Sequence, residues 1–447
     1  MASDTEADIL VAGAGVLGVT IAYWVSSLYD CDVVLADSSN APAMHGSSRN
    51  TGVIHRPFYL DPVKKRVFAR TSLISHPLWK RLAQSAGLPW KQVGTFNVAL
   101  EESEVRTIEK YRSWGISNGM DEKELDLLDG RGVSSMEPEV KCSSGLLSRT
   151  DVSVDFGAFT RHIWKAVLSR HVRFLGGHRF LSARVRRDVT EAEFRSDEGP
   201  HAVRCRYLIN AAGGGALSIA HALGLAREYA VMNFRGEYWV VDEPFASRVS
   251  SNIYRPPAFP QYPFLDPHFV VRADGSRQIG PNAVMVPGPY IYSGVGLTKL
   301  KGLLDGPIRP KARLLTSGDF ISLLSREWKS SLSKSAMCDR VRKFVPGLEA
   351  RMLRRRAVFG VRSSVVGSSG FVPEALVLKG TASAHIINYN SPGATGAPAF
   401  SAMVIAELRS AGMLDSFRQK QGDAPIPGWD FESVTARLYA GQRYLLR

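Results

Sequence analysis

The amino-acid sequence predicts an α/β protein in which two kinds of domain are interleaved along the chain. An apolar strand, a glycine-rich turn, a helix and a second strand follow one another over residues 8–37, an alternation typical of a parallel sheet. Further strand–turn–helix patterns occur at 206–217 and 385–408. Between them, the stretches 94–100 and 234–241 alternate aromatic and β-branched residues, which is typical of antiparallel strands. A chain of 447 residues is long enough for two or three domains.

The composition is that of an ordinary globular enzyme with an excess of positive charge. Hydrophobic residues make up 45% of the chain and charged residues 22%, and the formal net charge is +14. Basic residues cluster at 64–66, 184–187 and 351–356. We interpret these clusters first as solvated surface, with contacts to an anionic membrane surface or to anionic ligands as alternatives. No nucleic-acid-binding motif accompanies the charge, so a nucleic-acid partner is not expected.

The cysteines indicate a reducing compartment. Cys31, Cys142, Cys205 and Cys338 form no C-x-x-C pair, which argues against a zinc site and a disulfide framework, and no metal is expected. The apolar run 9–25 follows acidic residues rather than the basic flank of a signal peptide, and its glycine spacing is not required by a membrane span. A cytoplasmic protein is therefore expected, and peripheral association with the inner face of the cell membrane is the open alternative.

The first strand–turn–helix carries glycines at G-x-G-x-x-G spacing. Gly13 would make the tight turn, Gly15 would let the backbone approach a pyrophosphate, and Gly18 would let the helix pack on the sheet. The helix start would face the phosphates with its partial positive charge. Asp37, about twenty residues on, would accept hydrogen bonds from ribose hydroxyls and disfavours a 2′-phosphate, which argues against NADP. The nucleotide-binding residues expected here are Gly13, Gly15, Val16, Leu17, Gly18 and Asp37.

Three features favour FAD over NAD as the nucleotide. The motif begins at residue 8, whereas many NAD enzymes place a catalytic domain first. The strand at 206–217 ends in small residues whose backbone could close over the same nucleotide, and the turn at 391–395 would aim N–H groups and a helix dipole at an electron-rich target. The N1–C2=O edge of a flavin is such a target, because negative charge develops there on reduction. The residues involved are Ala211, Ala212 and Gly213, and Ser391, Pro392, Gly393, Ala394 and Thr395. Each late pattern could alternatively be an ordinary packed strand, turn and helix.

Ordered landmarks between residues 6 and 410 identify a family resemblance. They are SSRNTGVIH (47–55), VDFGAF (154–159), INAAG (209–213), NFRGEYW (233–239), YPFLDPHFVVRADGSRQIGPNAV (262–284), GVRSS (360–364) and NSPGAT (390–395). In these motifs the chain resembles the FAD-dependent oxidoreductases of the D-amino-acid-oxidase superfamily, and looks most like the L-2-hydroxyglutarate dehydrogenase/oxidase branch. Two positions depart from the family. Arg56 and Pro57 follow His55 where small residues are usual, and Gly393 interrupts a Ser-Pro-Ala-Ala-Thr turn.

The resemblance implies a role for the polar segment that begins at residue 47. In such enzymes this segment runs under the FAD pyrophosphate and then under the isoalloxazine ring, so that His55 would emerge on the substrate side. The further residues expected to contact FAD are Ser47, Ser48 and Arg49 at the phosphates, Gly52 beneath the ring, and Val185. An ordinary polar loop is the alternative interpretation.

The branch resemblance implies oxidation of a 2-hydroxy acid, which needs a hydride acceptor, a base for the hydroxyl proton and groups that hold the carboxylate. His55 is the first candidate base and His268 the second, because a histidine titrates near the working pH. The candidate substrate anchors are Arg362, Arg56, Tyr59 and Asn282. The branch resemblance implies a dicarboxylate as the small anionic substrate, with L-2-hydroxyglutarate first and malate second, and two inward-facing arginines would suit its two carboxylates. A structural role for either histidine, or an ion pair for Arg362, is the alternative.

We expect a discontinuous FAD-binding Rossmann-like domain interleaved with an antiparallel-sheet substrate-binding domain. The expected ranges are 1–85, 150–225 and 350–420 for the FAD-binding domain, 86–149 and 226–349 for the substrate-binding domain, helices within 297–349, and a tail at 421–447 that has no recognisable motif.

Three functions remain open from the sequence. The first is a flavoenzyme that oxidises a 2-hydroxy acid and passes electrons to a quinone or another acceptor. The second is a flavoenzyme that acts on an amine, an amino acid or glycerol 3-phosphate. The third is a non-catalytic flavoprotein or an RNA-modifying relative, for which the basic charge would be relevant.

Overall fold

The computed structural model describes residues 3–294, 302, 306–420 and 424–440. Its strands are β1 (Ser3–Ala12), β2 (Tyr29–Asp30), β3 (Val33–Ala36), β4 (Val53–Ile54), β5 (Lys91–Gln92), β6 (Thr95–Ala99), β7 (Leu125–Asp129), β8 (Ser144–Ser148), β9 (Val152–Ser153), β10 (Arg173–Leu175), β11 (Arg179–Arg186), β12 (Val189–Ser196), β13 (Gly199–Asn210), β14 (Ala230–Gly236), β15 (Trp239–Val241), β16 (Asn252–Tyr254), β17 (His268–Val271), β18 (Arg277–Gly280), β19 (Val284–Val286), β20 (Leu353–Arg356), β21 (Gly360–Gly367), β22 (Gly370–Phe371), β23 (Leu376–Gly380), β24 (Ser383–Ile387) and β25 (Arg418–Gln419). Its α-helices are α1 (Val16–Leu28), α2 (Arg66–Ala86), α3 (Glu102–Ser117), α4 (Gly130–Met136), α5 (Phe156–Leu168), α6 (Ala216–Ala222), α7 (Ile308–Leu315), α8 (Gly318–Leu332), α9 (Lys334–Arg342), α10 (Gly393–Ser410) and α11 (Phe431–Tyr439).

An eight-stranded sheet carries the glycine motif. Strands β10, β3, β1 and β13 lie parallel in that order, and β24 runs parallel to the last residues of β13. Strands β12 and β11 extend this sheet antiparallel to the first half of β13. The carboxyl ends of β1, β3 and β13 share one edge of the sheet, where the register pairs Ala12 with both Ala36 and Asn210. The loops that follow these strands therefore meet at one place, as expected for a nucleotide site in an open α/β sheet.

The uncharged run at 9–25 forms most of β1, the glycine turn and the first part of α1. Every residue of α1 from Val16 to Ser27 is buried, because α1 packs between the sheet, α5 and α10. A helix that is apolar all round requires such an enclosed position. In the part of the chain that the structure describes, no helix is both long and apolar enough to cross a membrane.

Two other sheets lie beside the eight-stranded sheet that carries the glycine motif, which we call the nucleotide sheet. One has eight strands in the order β20-β15-β18-β17-β16-β6-β8-β7, and the other has four in the order β19-β14-β21-β22. Residues 234–241, expected to be one strand, are divided between these two sheets as the end of β14 and as β15. The break falls at Glu237, whose buried side chain binds Arg235 and Arg356 and whose backbone N–H donates to Asn282. These polar contacts take the place of the ladder hydrogen bonds that a continuous strand would make.

Three helices cover these sheets, at the place where helices were expected. Helix α7 packs on β14 and β21, α8 on β19, and α9 on β18. Residues 297–301 and 303–305 of the predicted helical stretch lie outside the described residues.

The described part of the carboxyl-terminal tail, residues 424–440, packs on the core around α1, and residues 421–423 and 441–447 of the predicted tail lie outside the described residues. Helix α11 packs on α2 and α10, and the Trp429 side chain is fully buried. Its ring stacks on Trp24 with a centroid separation of 5.9 Å, and its indole N–H donates to the Leu78 carbonyl over 3.1 Å. No sequence motif indicated this docking.

We expect Trp429→Ala to lower the free energy of unfolding by about 3–5 kcal/mol, because it removes a large buried ring and leaves a cavity. The change is measured as a lower midpoint of urea unfolding. Leu332→Ala is the matched control, since the Leu332 side chain at the end of α8 is 80% exposed. Equal midpoints for the two variants would show that the tail does not stabilise the core.

Candidate active site

A cavity of about 680 Å³ lies where the three sheets meet. Its volume falls within the range of about 300–1,000 Å³ found for ligand and cofactor sites. The structure brings most of the predicted FAD-binding residues to its wall, namely Gly13, Gly15, Val16, Leu17, Asp37, Ser47, Arg49, Gly52, Ala211, Ala212, Gly213, Ser391, Pro392, Gly393, Ala394 and Thr395. Four of the six predicted catalytic residues also line it: His55, His268, Asn282 and Arg362.

The glycine turn is shaped by close backbone approach. Gly13 has φ +105°, and a Cβ there would lie 2.6 Å from the Ala211 carbonyl oxygen and 2.7 Å from the Ala212 Cα. Gly18 does not line the cavity. A Cβ on Gly18 would lie 1.7 Å from the carbonyl oxygen of Gly13, so its role is to let α1 pack directly on the turn. A cradle of bare backbone is thus formed between β1 and β13.

Asp37 and Ser47 hold the loops around this cradle. The Asp37 carboxylate accepts the Ala14 N–H and the Ser39 N–H, each over 2.7 Å, through different oxygens. Each oxygen keeps a further lone pair that can accept from a ribose hydroxyl. The Ser47 hydroxyl accepts the Val16 N–H over 2.8 Å and so caps the start of α1. The neighbouring Ser48 is outside the cavity wall and donates instead to the His45 carbonyl.

The start of α10 faces the cavity from the other side. Gly393 is its first residue, and no acidic side chain offsets the partial positive charge of the first turn. The Thr395 hydroxyl accepts the His55 N–H over 3.3 Å and donates to the Val53 carbonyl over 3.4 Å. The helix start is therefore fixed against β4, the strand that leads to His55.

Val185 is not at the cavity, contrary to expectation. It lies near the hairpin end of β11, opposite Thr190, and is 37% exposed. Arg179 and Phe180, at the other end of the same strand, line the cavity. Five residues of extended chain separate Phe180 from Val185, a distance of about 17 Å. The structure therefore places Arg179 and Phe180, rather than Val185, at the cavity.

A tyrosine pair that the sequence analysis missed lines the nucleotide side of the cavity. The His45 ring nitrogens lie 2.9 Å from the Ser39 hydroxyl and 2.8 Å from the Tyr292 hydroxyl, and the ring packs at 4.3 Å against Tyr290. Burial lowers the His45 pKa, so the ring is neutral. The guanidinium of Arg49 lies 4.1 Å over the Tyr292 ring. The only local signal was an aromatic-rich stretch, PYIY, in a loop.

His55 is held by a buried carboxylate. The His55 Nδ1 atom lies 2.9 Å from Asp151 Oδ2, and Asp151 is fully buried. Because a carboxylate only accepts, Nδ1 carries the hydrogen and Nε2 keeps a lone pair, an assignment that follows from the hydrogen-bond network. The Tyr254 hydroxyl lies 3.4 Å from that Nε2 atom. The arrangement is that of a base oriented by an acid. Asp151 was not among the predicted residues.

His268 presents a second imidazole to the cavity. Its Nδ1 lies 3.0 Å from the carbonyl oxygen of Asp266, so Nδ1 donates and Nε2 is an acceptor. Nε2 is buried and has no partner among the described residues. Burial lowers the pKa of His268 to about 3, with a smaller contribution from His55. The ring, stacked at 3.8 Å on Tyr254, is therefore neutral and offers an unused acceptor.

Arg362, on β21, is a partly buried cation at this end of the cavity. It donates to the Pro263 carbonyl, and burial lowers its pKa, with Tyr238 and Tyr59 opposing that change. No described carboxylate lies within 4.0 Å of its guanidinium, so the alternative of a strand-end ion pair finds no partner among the described residues. A partly buried guanidinium that lacks a counter-ion is costly and favours an anionic ligand.

Three predicted substrate anchors either lie outside the cavity wall or are bonded to another residue. The Arg56 guanidinium binds Glu124 over 2.8 Å and lies outside the cavity wall, because side chains of successive extended residues point to opposite sides and His55 takes the inner one. Tyr59 is also outside the wall and packs edge-on against His55. Asn282 is at the wall, but its amide accepts the Glu237 N–H and donates to the Glu237 carboxylate.

Known proteins share both sequence and fold with this chain. It is 26% identical over 427 residues to the mitochondrial L-2-hydroxyglutarate dehydrogenase of Nematostella vectensis, covering 89% of each protein. It is 25% identical over 415 residues to the L-2-hydroxyglutarate dehydrogenase of Escherichia coli K12, covering 90% of this chain and 93% of that protein. Among solved structures, L-alpha-glycerophosphate oxidase from Mycoplasma pneumoniae aligns with a TM-score of 0.70 at 20% identity, over 95% of this chain and 98% of that one. Glycine oxidase from Geobacillus kaustophilus aligns with a TM-score of 0.65 at 14% identity, over 94% of this chain and 98% of that one.

A family described as FAD dependent oxidoreductase (DAO) matches residues 8–408. The predicted α/β fold class, the superfamily and the FAD cofactor are confirmed by this match together with the relatives and the structural neighbours. Because the match extends over most of the 447 residues, the chain belongs to the FAD dependent oxidoreductase (DAO) family and is itself a flavoenzyme.

Proposed function

We propose that the protein oxidises a small 2-hydroxy acid to the 2-oxo acid, with L-2-hydroxyglutarate the first candidate and malate the second. The observation that carries this proposal is the partly buried Arg362 guanidinium at a cavity that also exposes two imidazoles. A carboxylate is the complement of an arginine fork, and a hydroxyl needs a base. The named activity of the curated relatives supports the same substrate class.

The residues at the other end of the cavity fit FAD. Gly13 makes the tight turn against Ala211 and Ala212, and Gly15, which also lines the cavity, leaves bare backbone for a pyrophosphate. The Asp37 carboxylate is placed for the ribose, and the start of α10 for the electron-rich edge of the flavin. When bound, FAD accepts the hydride from the carbon that bears the substrate hydroxyl. The proposed FAD-binding domain comprises residues 1–85, 150–225 and 350–420, and the substrate-binding domain residues 86–149 and 226–349.

Three side chains share the substrate chemistry in this proposal. Arg362 holds the carboxylate next to the hydroxyl-bearing carbon. His55 removes the hydroxyl proton through Nε2, because its Nδ1–H is bound to Asp151. His268 accepts a hydrogen bond but is a weak base, since burial lowers its pKa to about 3. The proton thus goes to His55 and the hydride to FAD, and a 2-oxo acid remains.

The second carboxylate of a dicarboxylate has no arginine assigned to it. Arg56 was the expected second cation, but its side chain binds Glu124 outside the cavity wall. The preference for L-2-hydroxyglutarate or malate over a monocarboxylate therefore rests on the names of the relatives. Arg56→Ala is accordingly not expected to discriminate between mono- and dicarboxylates.

Anaerobic mixing of the yellow protein with single compounds tests the proposal. L-2-hydroxyglutarate, malate and lactate are compared with glycerol 3-phosphate, glycine and a neutral amine, and bleaching of the flavin is recorded. Bleaching by a hydroxy acid at the lowest concentration supports the proposal. Bleaching by glycine, by the amine or by glycerol 3-phosphate alone would replace it with the corresponding activity.

The electron acceptor is a separate part of the proposal. We infer a quinone or another small acceptor, and the excess basic charge permits a peripheral association with an anionic membrane surface. Reoxidation of the bleached flavin by a soluble quinone is compared with reoxidation by oxygen. Faster reoxidation by oxygen would make the protein an oxidase.

Asp37→Ala is expected to weaken FAD binding by roughly 10- to 100-fold, because it removes charge-assisted hydrogen bonds to the ribose. The dissociation constant is measured by titrating the apoprotein with FAD and following the flavin fluorescence. Asp30→Ala, an exposed change on β2, is the matched control. Equal affinities would remove Asp37 from the cofactor site.

A further inference from the structure

We propose that Asp151 is a positioning residue that fixes the tautomer and the direction of His55, the base of the proposed reaction on which this inference rests. Asp151 does not line the cavity and so does not touch the substrate. It acts through the 2.9 Å contact between its Oδ2 atom and His55 Nδ1.

The Asp151 carboxylate is held by four donors. Oδ2 accepts from His55 Nδ1 and from the Thr95 hydroxyl, both over 2.9 Å. Oδ1 accepts from the Ser148 hydroxyl over 2.6 Å and from the Arg56 N–H over 3.1 Å. With both oxygens engaged from two sides, the carboxylate cannot rotate. A fixed acceptor imposes a fixed orientation on the imidazole that it binds.

The donors come from three separate parts of the fold. Thr95 begins β6, Ser148 ends β8, and Arg56 follows His55 itself. The Arg56 side chain is in turn tied to Glu124, which also accepts from the Thr150 hydroxyl next to Asp151 over 2.8 Å. Arg56, which departs from the family pattern, therefore acts here through its backbone N–H, and the bonds of Glu124 to Arg56 and Thr150 link the segment of His55 to the segment of Asp151.

Asp151 also provides charge where the reaction needs it. When His55 takes the substrate proton it becomes a cation that is 8% exposed, in a cavity that already holds the cation of Arg362. A second buried cation is unfavourable unless an anion accompanies it. The Asp151 carboxylate is that anion, and its hydrogen bond to the imidazolium is of the strong, charge-assisted kind.

The test compares Asp151→Asn, His55→Ala and the double variant, using whichever compound bleaches the wild-type flavin fastest. An asparagine amide can donate to Nδ1, which places the hydrogen on Nε2 and removes the base. We expect Asp151→Asn to slow the limiting rate of flavin reduction on the order of 10²-fold or more. The apparent dissociation constant of the substrate, which depends on Arg362, should change less than about threefold.

The double variant separates positioning from general structural damage. If Asp151 acts through His55, the double variant is no slower than His55→Ala alone. A rate lowered by the same factor in both backgrounds would overturn the proposal. Asp155→Asn is the matched control: it makes the same chemical change four residues away, on an exposed side chain that caps α5, and asparagine is an equally good cap.

A spectroscopic readout tests the pair independently of any substrate. A hydrogen shared between an imidazole and a buried carboxylate gives a proton resonance far downfield of the amide region. We expect this resonance in the wild-type holoprotein and in Asp155→Asn, and not in Asp151→Asn or His55→Ala. Its persistence in Asp151→Asn would show that Asp151 does not hold His55, whichever substrate the flavin accepts electrons from.

Discussion

Replacing His55 with alanine is expected to leave FAD bound and to slow flavin reduction by about 10²- to 10⁴-fold, the usual contribution of a positioned general base. The side chain is at the cavity wall but is not among the contacts that shape the glycine turn or hold Asp37. The rate is measured by anaerobic stopped-flow mixing with L-2-hydroxyglutarate or malate, and the FAD content from the absorbance of the purified protein.

His268→Gln is the informative companion to His55→Ala. Glutamine keeps a hydrogen-bond acceptor but cannot take a proton, so a neutral acceptor role for His268 predicts a loss of less than about tenfold. His162→Ala, in α5 and absent from the cavity wall, is the control for loss of a histidine. Unchanged kinetics in His55→Ala together with a large loss in His268→Gln would assign the base to His268. Acid precipitation of the wild type should release free FAD into the supernatant. A yellow pellet would instead indicate a covalent flavin.

Arg362→Ala is expected to raise the dissociation constant of the hydroxy acid by roughly 10²- to 10³-fold, because it removes a partly buried charge that pairs with the substrate carboxylate. Arg362→Lys should fall between the wild type and the alanine variant, since an ammonium does not reproduce the bidentate fork. The constants come from the concentration dependence of flavin reduction under anaerobic conditions.

The control for Arg362→Ala is Arg355→Ala, a loss of the same charge at an exposed position of β20. Wild-type affinity is expected for this control. If Arg362→Ala binds lactate and L-2-hydroxyglutarate as the wild type does, Arg362 does not hold the shared carboxylate. If the variant loses affinity only for the dicarboxylate, Arg362 instead holds the distal carboxylate.

The nucleotide half of the site could be predicted from the sequence because its geometry is local. Gly13, Gly18 and Asp37 belong to one strand–turn–helix–strand unit, where spacing alone determines which atoms meet. The start of α10 could be predicted for the same reason, because the free N–H groups in the first turn of a helix point outward from its amino-terminal end.

The substrate half could be predicted only in outline, because its contacts join distant parts of the chain. Asp151 is 96 positions from His55, and no spacing rule relates them. Arg56 was expected at the substrate because it adjoins His55, but adjacent extended residues face opposite ways and Glu124 was available on the other side. Val185 shows a different limit: it lies about five residues beyond the part of β11 that reaches the cavity, and no motif marks where along the strand that contact occurs.

The order of strands in the nucleotide sheet has a consequence for how the protein is made. β1 and β3 leave the ribosome before their neighbours β13 and β24, which end at Asn210 and Ile387. At a synthesis rate of 5–20 residues per second, roughly 20 to 70 seconds separate the emergence of β3 from that of β24. Throughout this interval the apolar strands and α1 have no complete partner surface, and such long-range pairing is slow and exposed to aggregation. The cavity, whose wall includes residues of β1, of the loop after β13 and of the start of α10, is therefore complete only after α10 has been synthesised.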